Sequence, residues 1–455
     1  MTRVAQYVRH SKCSPVWARG LSSPADRILL RGNTPPASEP DLSRFASIYT
    51  ALRHRDFRRL WVGTFCSTGG QWIQQATLGW VVYDVTGSGS LLGAVLAMRA
   101  IPMLLLAPVS GLVADRFDRR RALAASQLLV VIISFALAAA LALERVEVWH
   151  LFAFTFLAGV GMVFDRTLRN TLVFSVVPRA DIANAVALNS IAFSVMRTVG
   201  PAAAGLLIAW VGPALNFALQ GLLYLAVAAI AIALHTPYEP ARRARHNTAW
   251  ADMKEGLHFA ATDPVARMMV LLGLLPSFLL IPSFSALMPV FAVNVFATGP
   301  EGLGLLLSSV GAGGVLGGVA AAWTARSERA GLTQVLAILA FAVSLIGFAL
   351  STHIIVAAVF LVTAGMAEMV NMASHHTILQ MCAPPEMRGR IASVLPMFPA
   401  FMALGGLTAG IGADLIGAPG IVILTAAAAA GAVGIAWMRS TALRNLRLSK
   451  LVAGR

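Results

Sequence analysis

Three polar side chains stand at helical spacing in an otherwise apolar stretch, and their types suit proton transfer. Glu368, Asn371 and His375 fall at i, i+3 and i+7, so they share one face of a helix. A carboxyl group in apolar surroundings can exchange protons near neutral pH. We therefore expect Glu368, together with His375, to couple proton movement to the function of the protein. An ion pair or a polar lining that serves only conformation is the alternative.

Two arginines also stand well inside long apolar stretches, where a charge requires an explanation. A charge near the centre of a lipid bilayer costs about 2.5–3.5 kcal/mol on insertion scales. Arg99 and Arg197 therefore bind an anionic substrate, pair with an acid or face water. The first interpretation makes both of them candidates for a substrate path.

Uncharged amides in the same kind of stretch suit a cavity that receives a large polar or amphipathic ligand. Hydrogen bonds between helices explain such amides equally well. The amides that we add to the candidate substrate path are Gln71, Gln75, Asn189, Asn216 and Gln220.

The stretches that carry these residues have the length of membrane-spanning helices. Of the 455 residues, 58% are hydrophobic and only 12% are charged, far below the roughly 25% charged of a soluble domain. About 20 apolar residues cross the hydrocarbon core of a bilayer. Such stretches lie at 60–83, 90–114, 121–143, 149–173, 184–209, 213–235, 268–294, 302–325, 332–351, 354–378, 390–413 and 420–438. The sequence thus predicts an all-α integral membrane protein with twelve transmembrane helices.

The basic residues predict the orientation of these spans. With the amino terminus inside, 32 of the 35 Lys and Arg residues fall on the inner side, one falls outside and two lie within spans. Loops rich in Lys and Arg stay on the cytoplasmic side of a membrane. We therefore expect both termini to be cytoplasmic, in a bacterial inner membrane. The net charge of +15 then reflects topology and not nucleic-acid binding.

The chain divides into two halves of six spans that echo each other. Gly111 and Gly317 are 206 residues apart, as are Pro178 and Pro384 at the ends of similar segments. Because each half has an even number of spans, duplicated halves keep one orientation, which is a parallel repeat. The predicted regions are a tail over 1–58, bundles over 59–235 and 268–439, a linker over 236–267 and a second tail over 440–455.

The regions outside the bundles carry less information. Trp250, Met253 and Leu257 fall at i, i+3 and i+7, which predicts an amphipathic helix at the inner membrane surface within the linker. The first tail is expected to be disordered, or to derive from a start codon upstream of the true one. Its composition lacks the apolar core of a signal peptide.

The row from Gly111 to Arg121 joins spans 2 and 3 through a short turn with one acid and several arginines. Glycine lets two helices approach closely. Asp115 can accept hydrogen bonds from a helix amino terminus or pair with an arginine. A bond made in only one arrangement of the two halves acts as a latch. We assign Gly111, Asp115 and Arg116 to this latch, together with Arg166 of span 4, and interpret the arginines that follow Asp118 as inside anchors.

The same row resembles the loop signature of the major facilitator superfamily, the twelve-helix secondary transporters. Gly111, Asp115, Arg116 and the basic run match, Asp118 replaces the second glycine, and Ala321 stands where the second half would have its acid. Segments at 52–61, 80–88, 184–190, 200–205 and 388–390 resemble the siderophore- and drug-efflux branch that includes the enterobactin exporter. The resemblance covers about residues 50–440.

This resemblance implies a carrier that works by alternating access and exports a small organic molecule, coupled to proton entry. Gly200, Pro201 and Gly205 resemble the exporter signature of span 5, although Met196 stands where its first glycine belongs. Proline removes a helix hydrogen bond, and small neighbours allow bending.

A lysophospholipid or sugar carrier of the same fold is an alternative, and a polytopic membrane enzyme is the rival from another class. The sequence shows no nucleophile motif, metal set or paired acid and base that an enzyme would need. Its three cysteines are too scattered for a disulfide framework or a zinc site. We expect no metal and no cofactor. The expected partners are a small-molecule substrate, protons and the lipid bilayer, and a monomer suffices.

Overall fold

The computed structural model describes residues 50–238, 249–324, 327–382 and 397–447. By length and hydropathy, ten helices among these residues qualify as membrane spans. Two further facts raise this number to twelve. The 52-residue helix Ile182–Ala233 leaves helical geometry at Gly212, where φ is 80° and ψ is 167°, so it comprises two spans. Such a conformation suits glycine, and Pro213 starts the second helix.

The other additional span is the first, Arg55–Thr86, which has 32 residues and exceeds the length that a bilayer requires. It is not among the ten helices identified by length and hydropathy, because Gln71, Gln74 and Gln75 in its middle lower its mean hydropathy. The twelve spans, numbered in chain order, are Arg55–Thr86, 89–116, Arg119–Ala142, Val148–Val176, 182–211, 213–233, Pro264–Val295, Pro300–Thr324, Ala330–Leu350, Ile354–Cys382, Met397–Ile416 and Ala418–Arg439. The predicted all-α membrane architecture is confirmed.

The repeat is visible in the helices themselves. Spans 4 and 10 both have 29 residues, and they begin at 148 and 354 and end at 176 and 382. Both pairs of boundaries are 206 residues apart, the offset that the glycine and proline matches predict. A parallel repeat explains why one span length recurs at this offset.

Span 7 departs most from a regular helix. After Pro264–Leu275 its backbone widens into π-type turns at Pro276–Leu280 and Phe291–Val295. Proline lacks the N–H group that a helix needs, and this span contains Pro276, Pro282 and Pro289. Two of these prolines, Pro282 and Pro289, line the cavity described below.

Several predictions concern positions outside the described residues. These are the tail up to residue 49, the linker residues 239–248, Pro384, the segment 388–390 and the end of the second tail, 448–455. A helix, Ala249–Thr262, does precede span 7. The side chains of Trp250, Met253 and Leu257 are outside the description, so its amphipathic face stays a prediction.

Candidate functional site

A cavity of about 240 Å³ lies between the two halves of the protein. We call it the central cavity. Most of its wall is apolar, and it has few polar groups, which is typical of small-molecule sites. Its lining includes Gln75, Arg99, Met103, Met162 and Arg166 from the first half, and Pro282, Met288, Pro289, Leu303 and Met402 from the second.

One end of the cavity is closed by a carboxylate that bridges the halves. Asp414 of span 11 accepts hydrogen bonds from the backbone N–H groups of Gly89 (2.7 Å) and Ser90 (2.9 Å), at the start of span 2. The hydroxyls of Ser88 and Ser90 donate to the same carboxylate at 2.9 and 2.6 Å. Free N–H groups and the helix dipole make a helix amino terminus a good partner for an anion. We call this arrangement the Asp414 clamp.

Close backbone contacts surround the clamp. A Cβ atom placed on Gly93 of span 2 would lie 2.5 Å from the carbonyl oxygen of Gly406 in span 11. A Cβ atom on Gly205 of span 5 would lie 2.8 Å from the Cα atom of Gly304 in span 8. Only glycine allows helices to approach this closely. The halves therefore meet in direct contact at the Asp414 end of the cavity.

The opposite end, where spans 2 and 3 join, looks different in the part of the chain that the structure describes. Asp115 and Arg116 are exposed, and no hydrogen bond or ion pair to another described residue is found for either. Arg166 is also exposed and lines the central cavity instead of meeting Asp115. Gly111 is half-buried. The latch stays a prediction about another arrangement of the halves.

The turn next to the latch has a role that the sequence analysis missed. Asp118 caps span 3 by accepting from the Arg120 backbone N–H at 2.9 Å, with an ordinary φ of −60°. The turn therefore does not need the glycine of the family signature. Arg120 donates to the Leu234 carbonyl at 2.7 Å, and Arg119 donates to the Ala114 carbonyl at 2.9 Å. These arginines of span 3 therefore tie it to the ends of spans 2 and 6.

The cap makes a testable contribution to stability. Replacing an N-cap residue by alanine costs about 1 kcal/mol, so we expect Asp118→Ala to lower the free energy of unfolding by about that amount at pH 7. The hydrogen bond from the Arg120 side chain holds the pKa of Asp118 below its ordinary value. The stabilisation is present above the ordinary carboxyl pKa and is lost as the pH falls through the lowered value. Denaturant titration in detergent measures the difference, with exposed Asp84→Ala as the control.

Two of the candidate residues meet each other across the halves. Arg197 of span 5 and Glu368 of span 10 form an ion pair at 2.7 Å. Their side chains are only 14% and 13% exposed. Arg197 was assigned to the substrate path and Glu368 to proton coupling, and in this conformation each neutralises the other. Glu368 is thus the acid partner that is one of the expected explanations for an arginine inside a span.

The other two members of the Glu368 face have different neighbours. Asn371 accepts a hydrogen bond from Gln334 of span 9 at 2.6 Å, and both are buried. His375 is 4% exposed and its ring lies beside Phe398 of span 11, with ring centres 5.4 Å apart. The three residues therefore contact three different helices, and no hydrogen bond among the described residues links His375 to Glu368.

Arg99 lies between the central cavity and a second cavity of about 30 Å³ inside the first half. In that cavity, Asp165 accepts from Gln127 at 2.9 Å and from Ser67 at 3.1 Å, and it pairs with Arg169. Arg169, one of the 32 basic residues assigned above to the inner side, is instead buried within span 4, which corrects that assignment. Within the described residues, no ion pair involves Arg99.

The amides divide into two groups. Gln75 lines the central cavity, and Gln71 lines the second cavity, where it contacts the Met162 sulfur at 3.2 Å. Asn216 donates to the Thr77 hydroxyl at 2.7 Å, and Gln220 donates to Gln74 at 2.9 Å. These last two join spans 1 and 6, as the helix–helix alternative anticipates. Neither they nor Asn189 are among the residues that line the two cavities.

The Gly200–Pro201–Gly205 signature packs helices closely. A Cβ atom on Gly200 would lie 2.7 Å from the Cβ atom of Trp72 in span 1, and Gly205 meets span 8. Within Ile182–Ala233 the backbone leaves helical geometry at Gly212 and not at Pro201. In this conformation the signature therefore provides close contact; bending stays a prediction.

The Asp414 clamp has only a faint signal in the sequence. Ser88 and Ser90 follow a glycine between two apolar stretches, which predicts a helix start. Asp414 is an acid near the end of an apolar span, on the side where few charges occur. Nothing in the sequence joins these two positions, which are more than three hundred residues apart.

Comparisons with known proteins agree with this architecture. The family described as transmembrane secretion effector matches residues 46–453. The staphyloferrin A transporter of Staphylococcus aureus is 23% identical over 76% of this chain and 87% of its own length. The multidrug efflux pump Tap of Mycolicibacterium fortuitum is 28% identical over 74% of this chain and 84% of its own.

Solved structures show the same fold. A variant of the nucleoside transporter NupG superposes with a TM-score of 0.71 at 14% identity, covering 84% of this chain and 99% of its own. A bacterial homologue of the lysosomal transporter Spinster superposes with a TM-score of 0.65 at 15% identity, covering 89% and 99%. With a family match over almost the whole chain and two halves of six spans around one cavity, the protein belongs to the transmembrane secretion effector family of the major facilitator superfamily of transporters.

Proposed function

We propose that this transporter exports small organic molecules from the cytoplasm by alternating access, with proton entry as the driving force. The observation that carries the proposal is the central cavity between the halves, closed at one end by direct contacts between them. A site at the interface of two halves becomes accessible from either side when the halves rock about it.

The orientation follows from the distribution of basic residues. The turn with Arg116 and the arginines after Asp118 belongs on the cytoplasmic side, because short basic loops stay inside. The Asp414 end then faces the exterior. Arg166, which is exposed and lines the cavity on the opposite side, is reached from the cytoplasm. The described conformation is thus ready to receive a substrate from inside the cell, in a bacterial inner membrane, and a monomer is sufficient for it.

The names of relatives support the direction and the substrate type. Tap is named a multidrug efflux pump, and a Streptococcus pyogenes relative that is 22% identical over 58% of this chain is named macrolide efflux protein A. The staphyloferrin A transporter adds a siderophore carrier. Two names that state efflux and one that states siderophore transport support export of a drug-like or siderophore-like molecule through the central cavity.

The Arg197–Glu368 pair supplies a means of coupling. With Glu368 ionised, the pair links span 5 of one half to span 10 of the other. A proton on Glu368 removes the negative charge, so the electrostatic link is lost and the halves are free to rearrange. The carboxyl group thus alternates between Arg197 and a proton. Because the pair is mostly buried, this exchange changes the energy of one arrangement of the halves relative to the other.

Transport into inverted membrane vesicles tests the proposal. We expect vesicles containing the protein to accumulate a labelled drug or siderophore when a proton gradient is imposed, and to release it when a protonophore collapses the gradient. Counterflow in proteoliposomes separates a carrier from an enzyme, since only a carrier exchanges labelled for unlabelled substrate without chemical change. Accumulation that persists without a proton gradient would contradict proton coupling. Absence of counterflow with any siderophore or drug would contradict the exporter proposal itself.

A further inference from the structure

The central cavity contains two cations and no carboxylate. Arg99 and Arg166 are its charged lining residues, and every other residue of its described lining is uncharged. The two arginines lie on neighbouring spans of the first half, 2 and 4. The cavity therefore has a positive region on one wall and an apolar region opposite.

The positive charge of these arginines is not neutralised within the described part of the chain. Arg197 has Glu368, and Arg169 has Asp165, but no acid lies within ion-pair distance of Arg99 or Arg166. Asp165 faces the second cavity, where Gln127 and Ser67 also donate to it. Arg166 is exposed to water, but Arg99 is half-buried, and a charge that is partly removed from water without a partner is unfavourable. An anion that enters the central cavity supplies that partner.

The remaining wall fits an apolar body. Met103, Met162, Met288 and Met402 line the cavity with flexible and polarisable side chains, which adapt to ligands of different shape. Pro282 and Pro289 of the irregular span 7 add rigid apolar surface. The cavity is small beside the roughly 300–1,000 Å³ of sites for drug-sized ligands, which favours a compact ligand in this conformation.

We propose that the substrate is an amphipathic organic anion whose acidic group binds Arg99 and Arg166 while its apolar body contacts the methionines of the central cavity. This inference rests on the proposed export function and names its substrate class. Guanidinium groups suit the task because their planar array of donors matches a carboxylate or sulfonate. Arg166 is exposed and Arg99 is half-buried, so the acid meets Arg166 before it reaches Arg99.

A matched pair of probes tests the inference on the purified full-length protein. Tritiated 1-naphthylacetate carries a carboxylate, and tritiated 1-naphthylacetamide has the same body with a neutral amide. In a scintillation proximity assay we expect the acid to bind about tenfold or more tightly than the amide, because hydrogen bonds to charged groups are the stronger ones. Arg99→Gln and Arg166→Gln should each weaken binding of the acid by about tenfold and leave the amide unchanged.

Further variants separate a binding defect from misfolding. Arg99→Lys keeps the charge and should retain most of the affinity for the acid. Arg145→Gln removes an exposed arginine outside the cavity and should change neither affinity. Competition by unlabelled dodecanoate indicates a substrate acid that enters from the lipid. Competition by 4-hydroxybenzoate indicates a water-soluble substrate acid. Equal affinity for acid and amide, or full affinity for the acid in the Arg99→Gln and Arg166→Gln variants, would overturn the inference.

These measurements distinguish failure of the anion-site inference from failure of the proposed export function. Proton-driven accumulation of a neutral drug together with equal binding of the two probes means that the protein exports but does not select anions. Selective binding of the acid without counterflow means that the anion site exists and that the export proposal is wrong.

Discussion

Glu368→Gln is expected to abolish proton-driven export while leaving exchange of substrate measurable. Glutamine cannot take up a proton, so the group that alternates between Arg197 and a proton is missing. Removing one partner also leaves the other charge mostly buried without compensation, and breaking a buried ion pair in this way costs about 3–5 kcal/mol. With side chains 14% and 13% exposed, the pair belongs to that class. Efflux assays in inverted vesicles and counterflow assays in proteoliposomes measure the two activities separately.

A double variant separates coupling from stability. Arg197→Gln with Glu368→Gln removes both charges, so it should recover much of the lost stability but none of the proton dependence. The difference between the double variant and the sum of the single ones gives the interaction free energy of the pair. Asp84→Asn, at the exposed end of span 1, serves as the control and should export normally. Export by Glu368→Gln that still responds to a proton gradient would exclude Glu368 as the coupling group.

Gly93→Leu is expected to drive the halves apart at the Asp414 end. A Cβ atom at this position already lies 2.5 Å from the Gly406 carbonyl oxygen and 3.1 Å from the Cα atom of Leu407, so backbone would have to move. Overpacking costs about 1–3 kcal/mol, and this penalty applies only to the arrangement that closes this end. A coupling energy of this size corresponds to a roughly 5–150-fold shift between two states.

Spin labels at the Asp414 end of each half report the shift. Leu143→Cys at the end of span 3 and His353→Cys after span 9 are exposed positions for the labels, in a background where the native cysteines are replaced by serine. Double electron–electron resonance should show longer distances in Gly93→Leu and reduced export. Gly431→Leu is the matched control, because a Cβ atom on Gly431 has no neighbour within 4 Å. Unchanged distances with normal export would show that the glycine contact does not govern closure.

The sequence predicts the helices well because membrane spans depend on local composition. Length and hydropathy identify each span wherever its apolar run is continuous, and the offset of 206 residues recurs in spans 4 and 10. Span 1 fails the hydropathy criterion because Gln71, Gln74 and Gln75 lie within it. Its length and position still identify it as a span.

The candidate site is less predictable because its contacts join distant segments. Arg197 and Glu368 are both conspicuous in the sequence, yet no local pattern states that residues 171 positions apart form one pair. Asn216 and Gln220 have the same residue types as the cavity amides, but they donate hydrogen bonds to Thr77 and Gln74 of span 1. Arg166 was assigned to the latch from its place on span 4, whereas in this conformation it lines the central cavity.

The two sides of the Asp414 clamp differ in how freely their residues can change in evolution. Two of its four hydrogen bonds come from backbone N–H groups, which every residue other than proline provides. Span 2 can therefore exchange Ser88 or Ser90 for other residues and still offer a helix amino terminus to an acid. Span 11 has no such freedom, because the acidic side chain of Asp414 is the sole acceptor of all four bonds. The span 2 side of the Asp414 clamp therefore tolerates substitution, because backbone groups provide half of its hydrogen bonds, while the span 11 side depends on a single carboxylate.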